Sequence, residues 1–375
     1  MSESATKLIK FADAQCLPIG LVSAIIFGIA VPIVGYKVGS GNYAGVLCVV
    51  IIFFFAGLKL KTDECKAALR SYKVTTLGLL SILVFTCVLG SALTRAVPLD
   101  PVDFKLGMII FFCMPCTINS GSVLAKQAGG NFASALLLTV MGNMLGIFTC
   151  PLLLWLFADL QDVSFPVGSM VWKLCLTVFV PLITGKLLQE LPTSDHLVRR
   201  TVATYNKHIT YASNALLVLI PWMKISKSVI EGDFQKASLF DMLVVLLWTS
   251  FIHLLFLMLN YGLSVLCKLE VPFQKAVVLV GSSKTLPMAL TVLTFLPSDA
   301  GQDGLVAIPC IIGHMGQIVI DGFISSAWAA HTKDSQSSKT TQISLPSSPL
   351  QEPAIKEEAD TAPMVKNAEQ LESKA

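Results

Sequence analysis

CMPCTINSGSVLAKQAGGN, residues 113–131, sets a proline and a dense run of hydroxyl, amide and glycine residues inside a stretch that is otherwise apolar. Pro115 lacks a backbone donor and its ring clashes with the preceding turn, and Gly121 adds a second weak point, so a helix here should break. GSSKTLP, residues 281–287, interrupts a later apolar run in the same way. Non-helical backbone at membrane depth persists only where protein or a water-filled cavity satisfies its polar groups. Both stretches are therefore expected to face the interior of a helical membrane protein. Each break would expose the positive end of one half-helix and the carbonyl end of the other, which suit an anion and a cation respectively. The same small residues also serve plain helix–helix packing, which is the alternative reading.

The rest of the 375-residue chain supplies the membrane context. It is 54% hydrophobic and 14% charged, against roughly 25% charged in soluble chains. Its apolar residues come in runs of about 20, the length a bilayer core requires of a helix. Working outward from the two interrupted runs gives spans at residues 16–35, 43–60, 74–97, 104–124, 132–157, 170–188, 209–223, 239–266, 272–296 and 305–330. The chain thus reads as an all-α integral membrane protein of about ten transmembrane helices. Most of the ten cysteines lie inside these runs and behave there as small hydrophobes. Cys113 and Cys116 match C-x-x-C but lack the soluble context of a redox motif. No metal-ligand spacing or phosphate-binding loop is present, so no cofactor and no enzyme chemistry is expected. A net charge of +3 excludes an electrostatic nucleic-acid binder.

Loop charge sets orientation. Lys59, Lys61, Lys66, Arg70 and Lys73 crowd the second loop, and Arg199, Arg200 and Lys207 the sixth. Asp100, Asp103, Asp159, Asp162, Asp299 and Asp303 fall in the third, fifth and ninth. Basic loops stay cytoplasmic, which places both termini inside a multi-pass protein, with the plasma membrane expected and Golgi or endoplasmic reticulum as alternatives. Lys224, Lys227 and Lys236, read as a seventh loop, break the pattern. Residues 1–15 are read as a cytoplasmic N-terminus and 16–331 as the membrane domain. After His331 the chain turns rich in Ser, Pro, Lys and Glu, so 332–375 is expected to be a disordered cytoplasmic tail. Two sets of five spans, 16–157 and 170–330, imply an internal repeat that is inverted because five is odd. VPIVG at 31–35 and VPLI at 180–183, followed by Lys37 and Lys186, echo each other. The interrupted spans are then the fourth in each half, where broken helices crossing at the midplane would form a binding site. Pro32, Pro151, Pro181, Pro221 and Pro309 lack such polar runs and read mostly as plain kinks.

Lys284 is the most informative single residue. A lysine at mid-bilayer costs about 2.5–3.5 kcal/mol even by insertion scales, so it carries a functional reading, against a structural ion pair as the alternative. Asp321 is its candidate partner. His314, Gln317 and Asp321 share one face of the tenth span. His314 reads as a proton acceptor or substrate contact, or as a packing residue. Thr139 and Asn143 lie one turn apart in the fifth span, whereas His253 and Asn260 read as packing residues.

FFFAGLKLKTDECKAAL (53–69), the 113–131 stretch, SSKTLPMAL (282–290) and IPCIIGHMGQI (308–318), in this order and spacing, resemble the bile acid:sodium symporter family, and within it the type-7 branch. The resemblance reaches to about His331. It implies a ten-helix fold in which spans one, two, six and seven form a panel and the other six a core that slides against it. The sodium ligands the family implies carry over poorly. Its span-four Ser-Asn pair falls on Ser120 and Gly121, or on Gly121 and Ser122, with Asn119 as a substitute. Its span-five pair falls on Ala135 and Thr139, its span-three Gln on Ile82, its bridging Glu on Val280 and its following Gln on Lys284.

The expected function is therefore secondary transport of a small organic solute, an anion, across a lipid bilayer. Asn119, Ser120, Ser122, Thr139, Ser282, Ser283, Lys284, Thr285 and His314 are the candidate substrate- and ion-binding residues, with no metal ligands. Lys284 would stand in the ion position, with a proton, sodium or neither as the coupling ion. The alternative is a non-transporting regulator of intracellular calcium or the secretory pathway, the role with which the type-7 branch is associated. A channel is disfavoured because the polar cluster supplies no ring of like groups.

Overall fold

The computed structural model describes residues 16–41, 43–60, 71–97, 101–118, 120–158, 167–190, 197–232, 235, 238–296 and 303–343. The chain divides into two units, 1–332 and 333–375. In the second unit the described residues, 333–343, are helical, and the rest of the expected tail lies outside the described residues. All described regular structure is helical. In chain order the helices are α1 (Cys16–Ala30), α2 (Pro32–Gly39), α3 (Tyr43–Lys59), α4 (Tyr72–Arg95), α5 (Val102–Cys113), α6 (Ser120–Gln127) and α7 (Phe132–Phe157). They continue as α8 (Val167–Glu190), α9 (Leu197–Thr204), α10 (Asn206–Ile230), α11 (Leu239–Leu266), α12 (Val271–Ser282), α13 (Leu286–Leu293) and α14 (Asp303–Ile343). Among the described residues, six helical stretches are long and apolar enough to cross a membrane by themselves, and α12 with α13 is one of them. Helices or helix pairs occupy every position at which the sequence places a span.

Local chemistry explains where these helices end. Ser238 and Asp241 form a reciprocal capping box at the start of α11, satisfying two donors that the first turn would otherwise orphan. The Asn131 side chain caps α7 by accepting from the Ser134 N–H at 2.9 Å. Pro32 does more than kink its span. Val31 leaves the helical region (φ −134°, ψ 64°), and α1 and α2 meet at 102°. Proline is well suited to open the new helix because its missing N–H would have no intrahelical partner there. Pro151, Pro221 and Pro309 lie inside continuous helices, as the plain-kink reading expects. The α10 helix runs on to Ile230, so Lys224 and Lys227 are helical and not the loop residues that the charge pattern suggests.

Two features place the core. The outer faces of α1, α8, α11 and α14 expose large apolar side chains such as Phe27, Trp172, Met258 and Phe323, as lipid contact requires. By contrast the apolar window of α12 and α13 is 100% buried, which makes it the innermost element. Around it α11 packs along α12, and α6 and α7 pack against α12. A separate group forms where α8 lies on α3 and α10 packs on α1, α2 and α3. The α3–α8 crossing is backbone on backbone. A Cβ at Gly57 would sit 2.1 Å from the Leu182 carbonyl oxygen, and one at Gly185 would sit 2.3 Å from that of Phe54. Small residues at such crossings let helices approach closely where no hydrophobic driving force separates lipid from protein.

Gly57→Val should therefore lower stability by about 1–3 kcal/mol, the usual cost of forcing methyl groups into a packed contact. Gly45→Val, where a Cβ meets nothing within 4 Å, is the control. Thermal unfolding of both variants in mild detergent checks this, and equal midpoints would contradict the packing described.

Candidate functional site

The site grows from two helix breaks that touch. Cys113 ends α5, and its C-cap Met114 turns to extended backbone (φ −74°, ψ 155°). Ser282 ends α12, and its C-cap Ser283 adopts nearly the same conformation (φ −74°, ψ 151°). Between the half-helices, Pro115–Thr117 and Ser283–Thr285 run without helical bonds. The Thr285 N–H donates to the Pro115 carbonyl at 2.9 Å. Thr117 and Ser283 hydroxyls lie 3.3 Å apart, and the Thr117 hydroxyl accepts from the Gly121 N–H at 2.8 Å, opening α6.

Neighbouring helices satisfy the backbone that the breaks release. Asn143 of α7 donates to the Cys116 carbonyl at 2.9 Å and to the Thr139 carbonyl at 2.8 Å. Gln317 of α14 clamps Lys284 on both sides: its side-chain oxygen accepts the Lys284 N–H at 2.9 Å, and its amide nitrogen donates to the Lys284 carbonyl. His314 Nδ1 lies 3.2 Å from that same carbonyl and donates to it when protonated there. On α12, the Ser282 hydroxyl accepts from Asn260 at 2.9 Å, and Asn260 in turn accepts from Ser81.

The Lys284 side chain is 1% exposed, and its ammonium is surrounded by neutral acceptors. It donates to the Met114 carbonyl at 3.0 Å, the Thr86 hydroxyl at 2.9 Å, the Ile82 carbonyl at 3.2 Å and the Cys87 sulfur at 3.3 Å. The Phe256 ring centroid is 5.7 Å away, an added cation–π contact. Each acceptor has a structural reason. Met114 caps α5, so its carbonyl is left over at the negative end of a helix. Ile82 lies in a π-helical turn of α4, Ser81–Phe85. That wider turn shifts carbonyls off the regular ladder, with Thr86 and Cys87 bonding back to the carbonyls of Ser81 and Ile82 five residues earlier.

The structure brings Ser282, Ser283, Lys284, Thr285 and His314 into one buried cluster. Thr285 Oγ1 and His314 Nε2 are buried there without a hydrogen-bond partner among the described residues. Ser122 is buried in α6 and Ser120 is half-buried at its start. Thr139 turns its hydroxyl back onto the Ala135 carbonyl at 2.9 Å. Asn119 lies outside the described residues. Asp321 is not the partner of Lys284: its carboxylate sits 2.8 Å from His253 Nε2 instead. Sequence reading also missed the main-chain acceptors of Ile82 and Met114, which no side-chain pattern can announce.

The model of the SBF-like CPA transporter family (DUF4137) matches residues 15–330. The Arabidopsis thaliana protein "Probable sodium/metabolite cotransporter BASS4, chloroplastic" is 33% identical over 344 residues, covering 89% of this chain and 77% of the relative. Its Oryza sativa subsp. indica counterpart is 32% identical over 341 residues, covering 87% and 78%. The mouse "Sodium/bile acid cotransporter 7" is 26% identical over 327 residues, covering 84% and 92%.

Replacing Lys284 with Met should strand the Met114 carbonyl, at about 1–3 kcal/mol for a buried acceptor left unpaired, while the Ile82 carbonyl keeps the Cys87 thiol. Thr86→Val, which removes one acceptor of several, should cost less. Denaturant unfolding in detergent measures both, and a Lys284→Met chain as stable as the parent would overturn the ligand set described.

Proposed function

Because the chain belongs to the SBF-like CPA transporter family, we propose that it is a secondary transporter for a small organic anion in which the Lys284 ammonium takes the place of a coupling cation. The observation that carries this reading is the set of atoms around that ammonium. The Met114 carbonyl at a half-helix C-terminus and the Ile82 carbonyl and Thr86 hydroxyl of the α4 π turn are the kind of neutral oxygen donors from which transporters build monovalent-cation sites. Here a covalently attached cation holds them. A sodium ion about 4 Å from it would be repelled by about 4 kcal/mol at an effective dielectric of about 20. The relatives' names describe sodium cotransport; in this chain the fixed charge makes bound sodium unnecessary.

The fold we propose is ten spans in two inverted five-helix repeats, with the broken fourth and ninth spans crossing at the midplane. The matching C-cap conformations of Met114 and Ser283 support it, as does the use of an amide from the following span, Asn143 or Gln317, to satisfy each break. The α1–α2 pair, α3, α8 and α10 would form the panel, and the remaining long helices the core that slides against it. Both termini and the basic second and sixth loops would lie on the cytoplasmic side. At the crossing, the positive dipole ends of α6 and α13 would favour an anion. Asn119, Ser120, Ser122, Thr139, Ser282, Ser283, Thr285 and His314 would orient it, and Lys284 would offset its charge.

Purified protein in liposomes, assayed with labelled taurocholate, pyruvate and sulfate, tests this. Counterflow of taurocholate or pyruvate, the two organic anions, should proceed without sodium and fall at least tenfold in Lys284→Ala, a change of about 1.4 kcal/mol or more in the barrier. Uptake that requires a sodium gradient and survives Lys284→Ala unchanged would overturn the reading.

A further inference from the structure

Lys284 holds its charge among neutral acceptors, which leaves the buried ionisable pair nearby without a role. His253 of α11 is 3% exposed and Asp321 of α14 is 2% exposed, and their side chains meet at 2.8 Å. Ionisable residues inside membrane spans are costly to keep and mark ion or proton pathways. A satisfied packing pair is the plain alternative, but the place of Asp321 on α14 argues for more. Gln317, Asp321 and Ser325 recur at intervals of four, forming one stripe along the helix. Gln317 clamps Lys284 at the crossing, Asp321 meets His253, and Ser325 donates to the Leu124 carbonyl of α6 at 2.8 Å. One helix face thus ties together the crossing, α11 and the second half of the other broken span. Asp321 is the ionisable link among the three.

We propose that the His253–Asp321 couple is a proton-binding site whose occupancy sets how firmly α14 holds the Lys284 crossing; its part in coupling rests on the carrier reading above. Uptake of one proton from the medium converts a neutral imidazole and a carboxylate, net charge −1, into an imidazolium–carboxylate pair of net charge 0. Release reverses this and leaves an uncompensated carboxylate four residues from Gln317. That negative charge then acts on the Lys284 ammonium, whose backbone Gln317 holds. The proton therefore decides whether the charge of Asp321 is balanced by His253 or felt at the crossing.

The other charged and titratable groups on the surrounding elements have their own places. On α14, His314 faces the Lys284 carbonyl. On α12, Lys275 donates to the Ala128 carbonyl at 2.7 Å and lies over the Trp328 ring. Lys126 of α6 lies over Phe132. On α4, Lys73 and Arg95 stand at the two ends and the Cys87 thiol meets Lys284. Asp103 and Lys105 lie in the first turn of α5 and Cys113 at its end, against Ser91. Asp241 is held in the capping box of α11.

The full chain in lipid nanodiscs, labelled with 15N at histidine and lysine, tests the proposal without a transported solute. Spectra are scanned from pH 5 to pH 8, the range over which free histidine changes charge. The His253 imidazole and the Lys284 backbone amide should shift together with one midpoint. Asp321→Asn should abolish the Lys284 response, and Asp321→Glu should restore it. His253 is assigned with His253→Asn or, if that chain does not fold, by elimination with His208→Asn and the other single histidine variants. A His253 ring that keeps one protonation state throughout would overturn the proposal. So would a Lys284 amide that stays still while His253 titrates, or one that responds equally in Asp321→Asn. Once His253 and Lys284 are assigned with single variants, the wild-type spectra decide the first two of these outcomes. Absent anion counterflow with a shared titration would sink the carrier reading and leave the proton site standing. Counterflow with no titration would do the reverse.

Discussion

Every polar group that two helices release by breaking inside an apolar interior has to be satisfied from within the protein. That constraint organises the middle of this molecule. The Pro115 carbonyl goes to Thr285, the Cys116 carbonyl to Asn143, the Met114 carbonyl to Lys284, and both backbone groups of Lys284 to Gln317. The bonds run from each break to the other break and to α7 and α14. Those helices are consequently fixed relative to the crossing by directional contacts and not by apolar packing alone. Full burial of the α12–α13 window follows, since none of these groups can be left facing lipid.

The breaks were legible in the sequence because their cause is local. A proline beside several hydroxyl and glycine residues cannot propagate a helix, whatever surrounds it. The helix positions were legible from hydropathy, and α11 occupies the very residues that its hydropathy marks. What the sequence hid depends on tertiary contact or on the main chain. The π turn at Ser81–Phe85 has no composition signal, yet it aims the Ile82 carbonyl and Thr86 at Lys284. Pro32 looks like the prolines that merely kink, and only the non-helical conformation of Val31 turns it into a 102° bend. Lys224 and Lys227 read as loop because charge normally marks a helix end, but α10 carries them within its last two turns.

The pairing error at Asp321 shows the limit of reading a helix face. Its spacing from His314 and Gln317 correctly puts the three on one side of α14. Spacing cannot say which neighbour a side chain meets further along. Asp321 lies about one turn beyond Gln317, which brings it to α11 and His253 while Gln317 remains at the crossing. His253 and Asn260 are likewise seven residues apart on α11, and each reaches a different partner.

The separation of Lys284 from Asp321 has a mechanical consequence. Breaking a buried ion pair by removing its partner costs about 3–5 kcal/mol, so a direct lysine–aspartate contact across the crossing would resist any motion that parts them. Hydrogen bonds from a charged donor to neutral acceptors contribute about 1.5–3 kcal/mol each and can be exchanged one at a time. An ammonium shared among the Met114 carbonyl, the Ile82 carbonyl, the Thr86 hydroxyl and the Cys87 sulfur can shift from one acceptor to the next without ever being left bare. The arrangement therefore stabilises a buried charge without tying it to any single partner.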